Sequence, residues 1–163
     1  LSLHPGRYLI GWRRDWQKLI EPQARAASIR LLALKDDRFE RSVEKHVLNV
    51  SITQQNQTTP VNHAGNGWAF PQCSITATGT LVSPSFSDGT RTLMCNVQLS
   101  PGETLEVDSD RRSALKNGTT NVLSQTLGEF PLLEPGGGEL VYADDAASSH
   151  LGNLEIRYRD LWV

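Results

Sequence analysis

From residue 46 onward, apolar residues recur at alternate positions, the period of an extended chain with one face buried. His46, Leu48, Val50 and Ile52 share one face, and Val47, Asn49, Ser51 and Thr53 the other. Cys73, Ile75 and Ala77 alternate with Ser74, Thr76 and Thr78, and Leu93, Cys95, Val97 and Leu99 with Thr92, Met94, Asn96 and Gln98. Leu105 and Val107 predict a strand after a polar turn at Pro101 to Glu103, and Leu140 and Tyr142 predict another. The last strand has Leu154, Ile156 and Tyr158 inward and Glu155, Arg157 and Arg159 outward. Residues that favour turns lie between these runs: Asp88-Gly89, Asp108 to Arg111, Asn117-Gly118 and Gly136 to Gly138. Roughly seven short strands, with turns about every 8 to 12 residues, predict a mainly β protein built as an antiparallel sandwich.

The first third is less regular. Tyr8, Ile10 and Trp12 alternate and predict a strand, whereas Pro22 to Val47 suits a helix by its Ala and Leu content and a strand by the spacing of Ile29, Leu31 and Ala33. Asp36-Asp37 is a candidate turn. Gln54 to Asn66 has no apolar period and is rich in Gln, Asn, Thr and Gly, so it is expected to be an interdomain linker with its boundary near Thr58. Two domains follow, residues 1–57 and 58–163.

Composition narrows this picture only a little. The 163 residues are 38% hydrophobic and 21% charged, ordinary for a globular protein, so nothing calls for disorder. No apolar run approaches the roughly 18 residues that would span a bilayer, and no membrane partner is expected. The net charge of −2 conceals a split. Residues 1–35 hold seven basic and two acidic residues, a net of +5, against nine and sixteen in the remainder, a net of −7. Different neighbours for the two ends, or simply a solvated basic face, account for such a division. Trp12 and Trp16 among the basic residues carry no recognition motif, so no specific nucleic acid is expected.

Little in the chain suggests chemistry. His4, His46, His63 and His150 are far apart, and no GxSxG elbow accompanies them, so no enzyme is expected. Asp108 and Asp110 invite a calcium reading, but the loop lacks the further acidic positions, and acceptance of backbone amides at a strand corner is the simpler role. Cys73 and Cys95 fall in predicted strands as small buried hydrophobes, with a single disulfide as the alternative. No CxxC or HxxxH spacing offers a metal site, and no cofactor is expected. Three Asn-x-Ser/Thr triplets, at Asn49, Asn56 and Asn117, are read as chance in an Asn-rich and Thr-rich chain. Trp68 and Phe70 could make a sugar-stacking platform, or Trp68 could plug the end of the sandwich.

The order of segments says more than any single motif. A Gly102-Glu103 turn, a strand ending in Asp108, a segment ending Asn117-Gly118, a Leu133-x-Pro135-Gly136 turn and a last strand closing on Arg157-Tyr158-Arg159 and Trp162 follow one another. This succession, over about residues 58–163, resembles the carboxy-terminal domain of the distal or minor tail proteins of long-tailed bacteriophages. Gly137-Gly138 departs from the pattern, where the family often has Asn and an apolar residue. The resemblance implies a galectin-like β-sandwich, preceded in residues 1–57 by the last part of a β-rich or α+β ring-forming domain, so that the chain would be a fragment or a shortened relative. It implies a virion protein of the tail tip, assembled in the host bacterial cytoplasm. Its partners would be its own copies in a hexameric ring and other tail proteins: tail tube, baseplate hub and receptor-binding protein. Arg7, Arg13, Arg14 and Lys18 would then lie at a subunit interface. Trp68 and Phe70 are the candidate contacts of the alternative reading, a carbohydrate-binding module for host attachment. The galectin sugar-binding residues are themselves missing, and fold does not fix function.

Overall fold

The computed structural model describes residues 40–41 and 45–163. The chain divides between Glu40 and Arg41, and the second unit is Arg41–Val163. The expected strand at Tyr8 to Trp12, the ambiguous segment before residue 40 and the Asp36-Asp37 turn lie outside the described residues.

Fifteen strands are found among the described residues: β1 (Glu40–Arg41), β2 (His46–Ile52), β3 (Asn56–Val61), β4 (Gln72–Ala77), β5 (Leu81–Val82), β6 (Ser85–Ser87), β7 (Thr92–Cys95), β8 (Gln98–Leu99), β9 (Thr104–Asp108), β10 (Ser113–Lys116), β11 (Thr120–Asn121), β12 (Thr126–Gly128), β13 (Gly138–Ala143), β14 (Gly152–Tyr158) and β15 (Leu161–Trp162). Eleven of them form the two main sheets, one of six strands in the order β11-β10-β9-β4-β14-β2 and one of five in the order β12-β7-β6-β13-β3, and the rest form two-stranded pairs. Their ladders are antiparallel. A single core lies between them, with Ile75, Leu105, Leu154 and Ile156 from the first sheet and Val61, Phe86, Leu93, Leu140 and Tyr142 from the second. The alternation in β4, β7, β9, β13 and β14 is that of the sequence, because each strand has one face in the core and a register slip would expose it.

The expected boundary at residue 58 falls inside the sandwich. Strand β2 pairs with β14 along its whole length, from Ile52 opposite Gly152 to His46 opposite Tyr158, and β3 pairs with β13 from Val61 opposite Gly138 to Asn56 opposite Ala143. Gln54 to Asn66 is therefore part of the sandwich, not a linker. Strand β3 escapes the sequence pattern because it is an edge strand, where polar residues and Pro60 are tolerated, and only Thr59 and Val61 turn fully inward.

The turns follow local chemistry. Between β10 and β11, where Lys116 pairs with Thr120 across a three-residue connection, Asn117 (φ 53°) and Gly118 (φ 69°) both take positive φ, which Asn and Gly tolerate best. Between β6 and β7, Asp88 accepts the Thr90 and Arg91 amides at 2.8 and 2.6 Å, and its other oxygen accepts the Leu132 amide at 2.8 Å. One carboxylate thus closes its own turn and anchors a segment 44 residues away.

Candidate functional site

The densest polar constellation lies where the chain leaves β3. Val61-Asn-His-Ala-Gly-Asn-Gly must turn back against the C-terminal segment, and Gly65 permits the approach: a Cβ there would lie 2.1 Å from the Leu161 carbonyl oxygen. The Gly67 amide donates to that same oxygen at 2.9 Å, and the Asn66 side chain clasps Val163, accepting its amide at 2.7 Å and donating to its carbonyl at 3.0 Å. This close approach buries His63, which is 2% exposed.

His63 meets Asp160 through Nδ1 at 2.9 Å and the Gly67 carbonyl through Nε2 at 2.6 Å. The other Asp160 oxygen meets Nε2 of His46, at the first residue of β2, at 3.1 Å. The Ala64 amide donates to the same carboxylate at 3.1 Å. Burial pushes the Asp160 carboxyl up, but the hydrogen bonds from His63, His46 and Ala64 prevail and hold it below the usual carboxylate range. The His46 ring stacks on Tyr158 with centroids 4.8 Å apart, and the Tyr158 hydroxyl donates to the Asn62 carbonyl at 2.6 Å.

A second cluster lies at the end of β13. The buried Asp144 carboxylate accepts the Tyr142 hydroxyl at 3.0 Å and meets His150 Nδ1 at 2.6 Å. Burial, and then the Asp144 charge, push the Tyr142 phenol up, so it stays a donor. In neither cluster, among the described residues, does a serine hydroxyl or a thiol hydrogen-bond to a histidine. The arrangement can hold protons and tie segments together, but it offers no activated nucleophile.

The residues singled out by sequence are dispersed. Trp68 is 39% exposed and lies under the Arg91 guanidinium, 4.8 Å from the ring centroid, so it does not plug the core. Its neighbour Ala69 takes the inward position, paired with Leu133 by amide–carbonyl bonds of 2.9 and 2.8 Å. Phe70 is half-buried and lines a cleft of about 260 Å³ with Lys45, Gln72, Arg111, Arg157 and Arg159, a cleft that Trp68 does not reach. The two aromatics therefore form no common stacking platform. Arg7, Arg13, Arg14 and Lys18 lie outside the described residues.

Asp108 accepts the amides of Asp110 and Arg111, each at 3.0 Å, at the expected strand corner. Among the described residues no cluster of three or more His, Cys, Asp or Glu could hold a metal ion, and no helix is long and apolar enough to cross a membrane. Cys73 and Cys95 are free, buried thiols in opposite sheets. Burial pushes both up, Cys95 to about 12.

The His63–Asp160 cluster was beyond local motifs, since the two residues lie 97 positions apart, whereas Tyr142, Asp144 and His150 lie within nine residues of one another and went unread. The one signal that could have found the first cluster is the spacing of Gly65 and Gly67 just beyond His63, a mark of close backbone approach.

No curated protein matches the chain. The crystal structure of SPP1 Dit (gp 19.1), described as a paradigm of hub adsorption apparatus in Gram-positive infecting phages, is similar in fold, with a TM-score of 0.55 at 11% identity. The likeness covers 77% of this chain and 49% of that one, so the chain spans about half the length of that protein. Residues 64–162, more than half of the chain, match the siphovirus-type tail component, C-terminal domain. That match takes in the Gly102 to Asp108 strand, the Asn117-Gly118 hairpin and the closing Arg-Tyr-Arg with its Trp, and by it the chain belongs to the siphovirus-type tail component family, the structural proteins of long-tailed phage tails.

Proposed function

We propose that this protein is a non-enzymatic subunit of a ring at the tail tip, six copies closing around the tail axis and joining the tail tube to baseplate and receptor-binding components. The family match over residues 64–162 carries this reading. Two features support it. Residues 1–35 carry seven basic and two acidic residues, Arg7, Arg13, Arg14 and Lys18 among them, a charge suited to an acidic face of a neighbouring subunit. A closed ring uses one heterologous interface repeated by rotation, so a chain that carries both a charged segment and a sandwich is a sufficient building block.

Native mass spectrometry of the full chain, with negative-stain images of the same sample, tests the proposal. Closed rings of six are expected. A protein that stays monomeric at high concentration, with tail partners supplied, refutes it. The half-exposed Trp68 favours a second reading, a carbohydrate-binding surface. Titration with host cell-wall polysaccharides, followed by tryptophan fluorescence and compared with Trp68→Ala, distinguishes it, and a flat response removes it.

A further inference from the structure

We propose that His46, Asp160 and His63 form a proton-dependent latch that fastens the C-terminal strand β15 to the loop after β3. The reasoning starts from the two ring nitrogens of His63. Nε2 faces the Gly67 carbonyl at 2.6 Å, and a carbonyl oxygen only accepts. Nδ1 faces Asp160 at 2.9 Å, and the hydrogen bonds around that carboxylate keep it ionised, so it too only accepts. Both contacts are hydrogen bonds only when both nitrogens carry hydrogen. The competing arrangement, Nδ1 accepting from the Gly65 amide, has a separation of 3.4 Å, longer than the carboxylate contact. Deprotonation at either nitrogen leaves a lone pair facing an oxygen in a site from which water is excluded, and that contact opens.

His46 differs. It meets oxygen through Nε2 alone, and its ring is partly exposed, so the neutral ring with hydrogen on Nε2 serves as well. The cluster therefore has one obligatory cation and one optional donor around a single carboxylate. The remaining titratable neighbours do not compete. Tyr158, on β14 under the His46 ring, has its phenol pushed up by burial and by Asp160, while Lys45 and Arg159 lie on the adjacent cleft.

Asp160 directly precedes β15, whose Leu161 carbonyl receives the Gly67 amide. His63 grips the carbonyl of that same Gly67. Opening the His63 contacts thus loosens both sides of the clasp that positions the exposed Trp162 and Val163. The sign is set by the required proton: the latch is closed at low pH, within the ionised range of Asp160, and opens as rising pH strips one hydrogen from the ring.

The test follows the Gly67 and Val163 amides of the full chain by hydrogen exchange, corrected for intrinsic rates, between about pH 6 and about pH 9, which brackets ordinary imidazole titration. Protection of these two amides should fall about tenfold, the factor equivalent to one pKa unit of differential interaction, while Ile75 in β4 stays protected. The fall should vanish in His63→Gln and persist in His46→Gln. Nitrogen-15 spectra of the wild-type rings at about pH 6 should show hydrogen on both His63 nitrogens, a readout independent of whether the variants fold. Flat protection in the wild type, an unchanged fall in His63→Gln, or a singly protonated His63 ring at the lower pH each overturns the proposal.

Discussion

Replacing Tyr142 by Phe removes one oxygen from the centre of the sandwich and changes nothing else there. The ring is fully buried and packs edge-on against Phe86, with centroids 5.9 Å apart and planes at 61°, contacts that Phe retains. What goes is the hydroxyl that donates to Asp144 at 3.0 Å. The Asp144 side chain is wholly buried, so its Oδ2 oxygen finds no water in exchange. A hydrogen bond to a charged acceptor contributes about 1.5–3 kcal/mol, and orphaning the acceptor puts the cost in the upper half of that range. Tyr158→Phe is the internal control, because its hydroxyl donates to the neutral Asn62 carbonyl and its loss costs about 1 kcal/mol. Urea unfolding with unchanged m should show the Tyr142 variant losing about two to three times as much as the Tyr158 variant. The corresponding fall in Tm is roughly 5–12 °C at about 2–4 °C per kcal/mol for a chain of this size. A Tyr142→Phe loss below about 0.5 kcal/mol, the level of an ordinary surface change, refutes the buried-carboxylate argument, as does equality of the two variants.

Three further outcomes follow from the turns. Gly137→Ala should destabilise more than Gly136→Ala by thermal unfolding: both glycines have positive φ, with its strain of about 1–2 kcal/mol, but only at Gly137 would the Cβ collide with β3, 2.5 Å from the Val61 carbonyl oxygen. Asp88→Asn should cost about 2–3 kcal/mol by urea unfolding, since one amide orientation must turn a donor toward either the Leu132 amide or the local turn amides that Asp88 now accepts. Glu103 bonds Lys116 at 2.8 Å and accepts the Ser100 amide, which together hold its carboxyl at about 2. Carbon-13 titration should find it ionised down to about that pH, with the stability it contributes complete only above about 4.5, the ordinary carboxylate value, and lost progressively as pH falls from there through about 2.

Alternation revealed what depends on one strand at a time. Strands β4, β9 and β14 were legible because each has a buried row, Ile75 or Leu105 or Ile156, whose period survives without knowledge of the partner. Strand β3 was not, because an edge position lets Pro60 and exposed Thr58 interrupt the pattern, and so the sandwich was expected to begin a dozen residues too late. The same limit applied to the polar groups. The capture of the Thr90 and Arg91 amides by Asp88 was implicit in the Asp-Gly turn, whereas its hold on Leu132 was not. Trp68 misled for a related reason: an aromatic at a strand start usually buries, but here Ala69 takes the inward position and Arg91 covers the ring.

The placement of charge bears on what the domain can do. Among the described residues the ionisable groups of the core cluster are Tyr142, Tyr158 and the thiols of Cys73 and Cys95, and burial pushes all four up, so the core stays uncharged at ordinary pH. The carboxylates that matter, Asp88, Asp144 and Asp160, lie where strands end: Asp88 holds Leu132 and Asp160 holds His63 and His46, contacts between segments far apart in sequence, while the Asp144 carboxylate fastens Tyr142 and His150 of its own segment. A sandwich fastened in this way resists shear of one sheet over the other, because sliding would break charged contacts at its ends as well as apolar contacts in its middle. Rigidity of that kind serves a structural tail component better than a catalyst, which needs an open cleft and a mobile lid. Loosening the ends while leaving the core intact, as Asp88→Asn and Asp160→Asn should do together, is therefore expected to preserve the far-ultraviolet spectrum and lower the yield of the rings proposed above; rings formed at wild-type yield would show that end rigidity is irrelevant to that assembly.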